Sequence, residues 1–394
     1  MDPRGEEDLM ADSSTTEQSM RDLMEQYYGR IAQLSVGLAR GGRNIQIMEV
    51  CGTHTMAIAR SGMRQRLPKN LRLVSGPGCP VCVTDQSYMD QAVWLADAKG
   101  FAPPIIATYG DMVRVPGRVG SLGEARARGA AIEVVYSADQ AVELAQRTPG
   151  RQVVFLAVGF ETTAPGTALA VMRAKAQGLD NFSCLVAHKL VLPAMRVLLS
   201  DPDLQLDAFL CPGHVSVILG YDAYAPIVEQ YRRPCVVAGF DALQVAKGVV
   251  VILEQLAGGK LEATSVYPAV SAGGNAAARE LLAEVFEVTD ARWRAIGTIP
   301  GSGLSLRGDY AAFDAARRFS VPEMESYELP GCRCGDVICG RTLPEECKLF
   351  GRRCTPLDPV GPCMVSSEGA CAAAYKYGGF RFGRASAGRG DKQP

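Results

Sequence analysis

The run NIQIMEV stops at Cys51, and its arrangement, a short apolar β-prone stretch ending in a loop of Gly, Pro, Thr or His, recurs along the chain. LRLVSG, PIIATYG and AIEVVYS follow it, and from about residue 151 a second series runs QVVFLAVGF, FSCLVAH, DAFLCPGH and PCVVAGF. Helix-like stretches such as SYMDQAVWLADAKG and GTALAVMRAKAQG separate them. Near-continuous apolar runs of strand length alternating with helices are the pattern of parallel strands buried on both faces. The expected fold class is therefore α/β, with two similar parallel-sheet α/β domains flanking a cleft. Ligands of open α/β sheets bind beyond the carboxyl ends of the strands. Chemistry is thus expected in the loops CGTHT, GPGCP, TYGD, GFETTAPG, AHK, CPGH and GFD.

Residues 1–17 have the acidic, polar composition of a disordered tail, and Met20, Leu23, Tyr27, Ile31 and Leu34 then fall on one face of an amphipathic helix. The expected division is 28–149 for α/β domain I, 150–262 for α/β domain II, 263–380 for a mixed region ending in a cysteine-rich domain, and 381–394 for a flexible basic tail. The formal net charge of −1 gives no global pull toward nucleic acid or an anionic membrane. No apolar run approaches the roughly 20 residues of a spanning helix, and the amino terminus lacks the basic-then-apolar order of a signal peptide. A cytoplasmic location is expected, with neither nucleic acid nor membrane as a partner.

Thirteen cysteines are many for that compartment, where clustered thiols favour metal or redox chemistry over structural disulfides. Cys51-x-x-His54 puts a thiol and an imidazole on one loop, close enough to share a proton or a metal; the bland alternative is a buried Cys ending a strand. Cys79-Pro80-Val81-Cys82 has the spacing at which one thiolate attacks and the other resolves, although C-x-x-C also serves as half a zinc site. Cys332, Cys334, Cys339, Cys347, Cys354, Cys363 and Cys371 crowd a segment rich in Gly and Pro that lacks the apolar residues to fold unaided. A [4Fe–4S] cluster takes four thiolates and would staple such a segment; zinc is the alternative. The C-terminal unit is read as an iron–sulfur domain, and its surplus thiols suggest a neighbouring disulfide. Asp111 in TYGD and Glu368 in SSEG are acids suited to orient reactive or ligating groups. His188 and His214 end strands and are read as satisfied by backbone; Cys184, Cys211 and Cys235 are read as core.

CGTHTM, GPGCPVC, TYGDMVRVPG, VGFETTAP, CPGHVSVILG, GCRCGDVICG, LFGRRCTP and GPCMVSSEGAC together resemble the HypD family of [NiFe]-hydrogenase maturation proteins, over about residues 28–380. The resemblance implies a redox-active assembly scaffold, rather than a conventional turnover enzyme, on which an iron ion acquires two cyanides and one carbon monoxide. It implies as partners the chaperone HypC, which shares the iron through its own cysteine, HypE, which supplies cyanide, and, through the chaperone, the hydrogenase large subunit. It further implies Cys51 as the iron-side thiol with His54 beside it, and Cys79 and Cys82 as a redox pair. The C-terminal cluster is similar to that of ferredoxin:thioredoxin reductase, implying Cys332, Cys347, Cys354 and Cys371 as [4Fe–4S] ligands and Cys334 with Cys363 as the neighbouring disulfide. Cys339 is left over. A stand-alone cluster-dependent thiol–disulfide oxidoreductase and a zinc-stabilised binding scaffold are the rival readings.

Overall fold

The computed structural model describes residues 4–39, 42, 44–98 and 101–378, with side chains from Gln18 onward. The strands in chain order are β1 Ile45–Glu49, β2 Leu71–Ser75, β3 Ile105–Thr108, β4 Ile132–Val134, β5 Val153–Gly159, β6 Phe182–His188, β7 Ala208–Pro212, β8 Cys235–Ala238, β9 Ala263–Ser265, β10 Phe286–Trp293 and β11 Gly297–Leu306. Every apolar run singled out in the sequence is one of β1 to β8. They build two parallel sheets, ordered β2-β1-β7-β8-β9 and β4-β3-β5-β6, and β10 pairs with β11 as an antiparallel hairpin.

The two sheets do not divide the chain at residue 150. β1 pairs with β2 on one side and with β7 on the other, Ile47 opposite Ala208, while β3 pairs with β5, Ile105 opposite Val153. Each sheet thus takes strands from both expected domains. All these strands are apolar and fit a buried sheet equally well, so composition alone does not tell which neighbour a strand takes.

Alternation within strands sets the layers. Ile45 and Ile47 face the core beneath the helix Ala242–Gly258, while Met48 and Val50 face a central core. In β5, Val154, Leu156 and Val158 enter that same central core, and Val153, Phe155 and Ala157 enter a third. The inner faces of both sheets therefore share one contiguous core, which also takes in Cys79, Cys82, Cys334, Cys339, Cys354, Cys363 and Cys371. The seam expected as a cleft is packed, and the cysteine-rich segment is part of the packing.

Two expectations about the ends change. The helix Arg4–Leu38 begins inside the segment read as a disordered tail. Its packed stripe is the buried Ile31 with the partly buried Met24, Tyr27, Tyr28 and Leu34, docked on the helix Ala242–Gly258, whereas Met20 and Leu23 are exposed. The apolar spacing was right but its start was placed a turn early. The basic tail 381–394 lies outside the described residues.

Candidate functional site

Cys51 is the residue before the helix Gly52–Arg60, in extended conformation with its side chain buried. The backbone N–H groups of Thr53 and His54 face its sulfur, the donors that an open helix N-terminus offers an anion. Burial and then the charge of Glu368 outweigh them and push the thiol up to about 11. Without a cation beside it, Cys51 keeps its proton at neutral pH.

The expected thiol–imidazole hydrogen bond is not formed. His54 Nε2 donates to the carbonyls of Ala238 (3.1 Å) and Gly239 (3.0 Å) at the end of β8, and Nδ1 is buried without a hydrogen-bond partner. Two carbonyl acceptors fix the proton on Nε2, so the Nδ1 lone pair is left free. Burial lowers the imidazole to about 4 and keeps it neutral. Phe240 separates it from the exposed His214, which stacks on the same ring at 3.9 Å.

Two close approaches bring the other elements to Cys51. A Cβ on Gly78 would lie 2.4 Å from the Cys51 nitrogen, so the GPG turn after β2 runs directly over Cys51 and delivers Cys79 next to it. A Cβ on Gly52 would lie 2.5 Å from that of Glu368, so only glycine admits the C-terminal loop. Thr53 Oγ1 donates to Glu368 Oε1 at 2.7 Å. Asp111 anchors this loop from the other side, accepting from Ser366 Oγ (3.2 Å), Ser367 N (3.1 Å) and Ser367 Oγ (3.2 Å). Beneath, the buried Glu49 accepts from Arg64 Nη2 (2.6 Å) and Ser75 Oγ (2.9 Å), clamping the ends of β1 and β2 together.

Cys79 and Cys82 form a disulfide, with Cα atoms 5.2 Å apart, around the short helix Pro80–Val83. That helix packs against Cys334–Ile338 and Pro362–Val365 of the cysteine-rich segment. The helix Ala370–Tyr377 packs on Gly52–Arg60, so the segment touches both sequence motifs at once.

Cys332, Cys334, Cys347, Cys354, Cys363 and Cys371 line one small cavity with Leu349, Phe350 and Met364. All six carry free thiols. Cys334 and Cys363, implied as a disulfide, are unbridged, and the thiol–thiol hydrogen bonds pair Cys332 with Cys334 and Cys363 with Cys371. Among the described residues no three His, Cys, Asp or Glu side chains are gathered tightly enough to hold a metal ion as they stand. The donor set nevertheless fits an iron–sulfur group: sulfur donors only, an apolar wall, and backbone N–H groups aimed at sulfur from Val360 to Cys354 (3.3 Å) and from Cys371 to Cys363 (3.2 Å). Cys363 is the most acidified, because the Cys371 thiol and the N–H groups of Cys371 and Ala370 point at it. Cys339 lies outside the cavity, fully buried, its thiol pushed up to about 11 by burial.

The remaining candidates are core. Cys184, Cys211 and Cys235 are fully buried in strands, and His188 Nε2 meets Thr167 Oγ1 at 2.9 Å. Reading by motif missed Thr53, Glu49 and Arg294. Thr53 sat inside a quoted motif, but only the fold reveals its partner; Arg294, in ARWRAIG, belonged to no motif.

Comparison with known proteins follows the same segments. The HypD family model, described as "Hydrogenase formation hypA family", matches residues 22–378. The hydrogenase maturation factor HypD of Azotobacter vinelandii is 47% identical over 345 residues, covering 85% of this chain and 90% of that protein. HypD of Escherichia coli (strain K12) is 44% identical over 337 residues, covering 85% and 90%, and HypD of Cupriavidus necator is 43% identical over 361 residues, covering 89% and 94%. Among the described residues no helix is long and apolar enough to cross a membrane. The chain belongs to the HypD family.

Proposed function

We propose that this hydrogenase maturation factor is the scaffold on which an iron ion receives two cyanide ligands and one carbon monoxide, working with HypC and HypE and passing the product, through the chaperone, to the hydrogenase large subunit. The supporting observation is the convergence of a C-x-x-C disulfide and a thiol-lined cavity in one core, with the helix N-terminal thiol of Cys51 against the Gly78 turn that leads into that disulfide. Cys51 receives the incoming iron. Its proton leaves as the metal binds, and Glu368, whose charge bears on that thiol, is the carboxylate available to take it. The N–H groups of Thr53 and His54 then hold the sulfur as thiolate, and the His54 Nδ1 lone pair is open to the same iron.

Cys79 and Cys82 store two electrons when their disulfide opens to two thiols. A [4Fe–4S] cluster held by Cys332, Cys347, Cys354 and Cys371 would supply single electrons beside them. Cys334 and Cys363, which line the same cavity, would pass thiol–disulfide exchange onward to the Pro80–Val83 helix, against which Cys334–Ile338 and Pro362–Val365 pack.

Infrared spectroscopy of anaerobically and aerobically purified protein, alone and with HypC and HypE, tests the reading. Bands in the cyanide and carbonyl region are expected. Cluster absorbance without such bands in any preparation would leave the stand-alone thiol–disulfide oxidoreductase, and colourless zinc protein would overturn both.

A further inference from the structure

Arg294 lies in the bend between β10 and β11 and is buried. Its backbone N–H donates to Val83 O at 2.9 Å, Nε to Cys82 O at 2.9 Å, and Nη2 to Thr84 O at 2.6 Å. These are three successive carbonyls at the C-terminal end of the C-x-x-C helix, where no intrahelical donor remains and a cation is favoured. One residue thus caps the whole end of the turn that carries Cys79 and Cys82, and the bridge between Thr84 and Trp293 fixes it in register.

On its other side the guanidinium lines an open cavity with Cys332, Cys334, Asp85 and Tyr327. Burial works against its charge, and Cys334, Asp85 and Cys332 are nearby groups whose ionised forms favour it. Asp85 is already engaged by Ser87 and Ser326. Carbonyl oxygens satisfy the hydrogen bonds of a buried guanidinium, the Asp85 carboxylate offsets part of its charge, and a sulfur that ionises nearby gains from what remains.

We propose that Arg294 is a positioning residue of the redox pair: it fastens the Cys79–Cys82 turn to the Cys332 and Cys334 side of the thiol cavity, and its charge favours the reduced pair. This rests on the reading of Cys79 and Cys82 as a redox couple. In the step concerned the S–S bond takes two electrons and two protons from a dithiol, which leaves as its own disulfide, and any ionised fraction of the new thiols is held by the guanidinium.

The test poises the full-length protein in dithiothreitol redox buffers and reads Cys79 and Cys82 by differential alkylation and mass spectrometry. R294Q keeps a donor for the carbonyls and removes the charge; its couple is expected to need a tenfold more reducing buffer for half reduction, about 30 mV for two electrons. R294K keeps the charge and is expected within threefold of the native chain. R294M is read in the same way should R294Q fail to reach the native circular-dichroism spectrum. A native pair that never titrates overturns the redox reading itself. A native pair that titrates while R294Q follows it unchanged overturns only the role of Arg294, as does R294K shifting as far as R294Q.

Discussion

Thr53 Oγ1 and Glu368 Oε1 meet at 2.7 Å across 315 residues of sequence, joining the helix that opens at Cys51 to the loop that leads into Cys371. A neutral donor to a carboxylate is worth about 1.5–3 kcal/mol. Thr53→Val and Glu368→Gln should therefore each destabilise the protein, and the double variant should lose less than the sum. Urea unfolding of the four proteins gives the coupling, expected at about 1 kcal/mol or more. Additivity within about 0.3 kcal/mol would show that this contact does not couple the two segments.

Cys51→Ala should abolish iron loading in the complex with the chaperone while leaving circular dichroism and the thermal midpoint close to native. The substitution removes one sulfur from a position whose backbone is already set by β1 and by the Gly78 contact. Iron is measured by emission spectrometry on the purified complex. Full occupancy in the variant would take Cys51 out of the site.

Cys354 and Cys339 make a matched pair of substitutions in the same segment. Cys354→Ser alters a cavity sulfur that accepts the Val360 N–H, and should bleach the visible cluster absorbance and expose residues 330–375 to protease. Cys339→Ser changes a buried thiol outside the cavity and should cost stability yet keep the spectrum. The reverse pattern would mean that the thiols have been sorted wrongly.

The strands and the chemistry-bearing loops were legible because each carries local signals: apolar runs bounded by Gly and Pro, and thiols at fixed spacing. Cys51 and Cys79 were correctly assigned to strand-end loops for that reason. Sheet order was not legible, since pairing β1 with β7 is a choice among equally apolar strands far apart in sequence. Nor was the fate of His54: C-x-x-H spacing puts thiol and imidazole near each other, but the carbonyls of Ala238 and Gly239 that claim Nε2 arrive from 184 and 185 residues away. Arg294 carries no local signal, because its partners are backbone carbonyls, which any sequence provides.

Glu161, in the loop after β5, supplies a test in pH. Its Oε1 accepts the Val191 N–H at 2.9 Å, Oε2 is buried without a partner, and burial raises its carboxyl from 4.5 to about 7. A folded-state value above the unfolded one means that the native state binds the extra proton between those limits. Its contribution to stability is full below about 4.5 and is lost as pH rises to about 7. The buried His54 and His188, lowered to about 4 and about 3, act with the opposite sign, their contribution fading as pH falls from 6.5. A stability profile of the native protein alone therefore mixes the two. Glu161→Gln separates them, because the variant keeps both histidines and cannot ionise at 161. The stability difference between variant and native protein, from urea unfolding at pH 5 and pH 8, should move by about 2–4 kcal/mol in favour of the variant at the higher pH. A difference that stays constant across that range would place Glu161 in contact with water or with a counter-charge, and would overturn its assignment as a neutral buried acid.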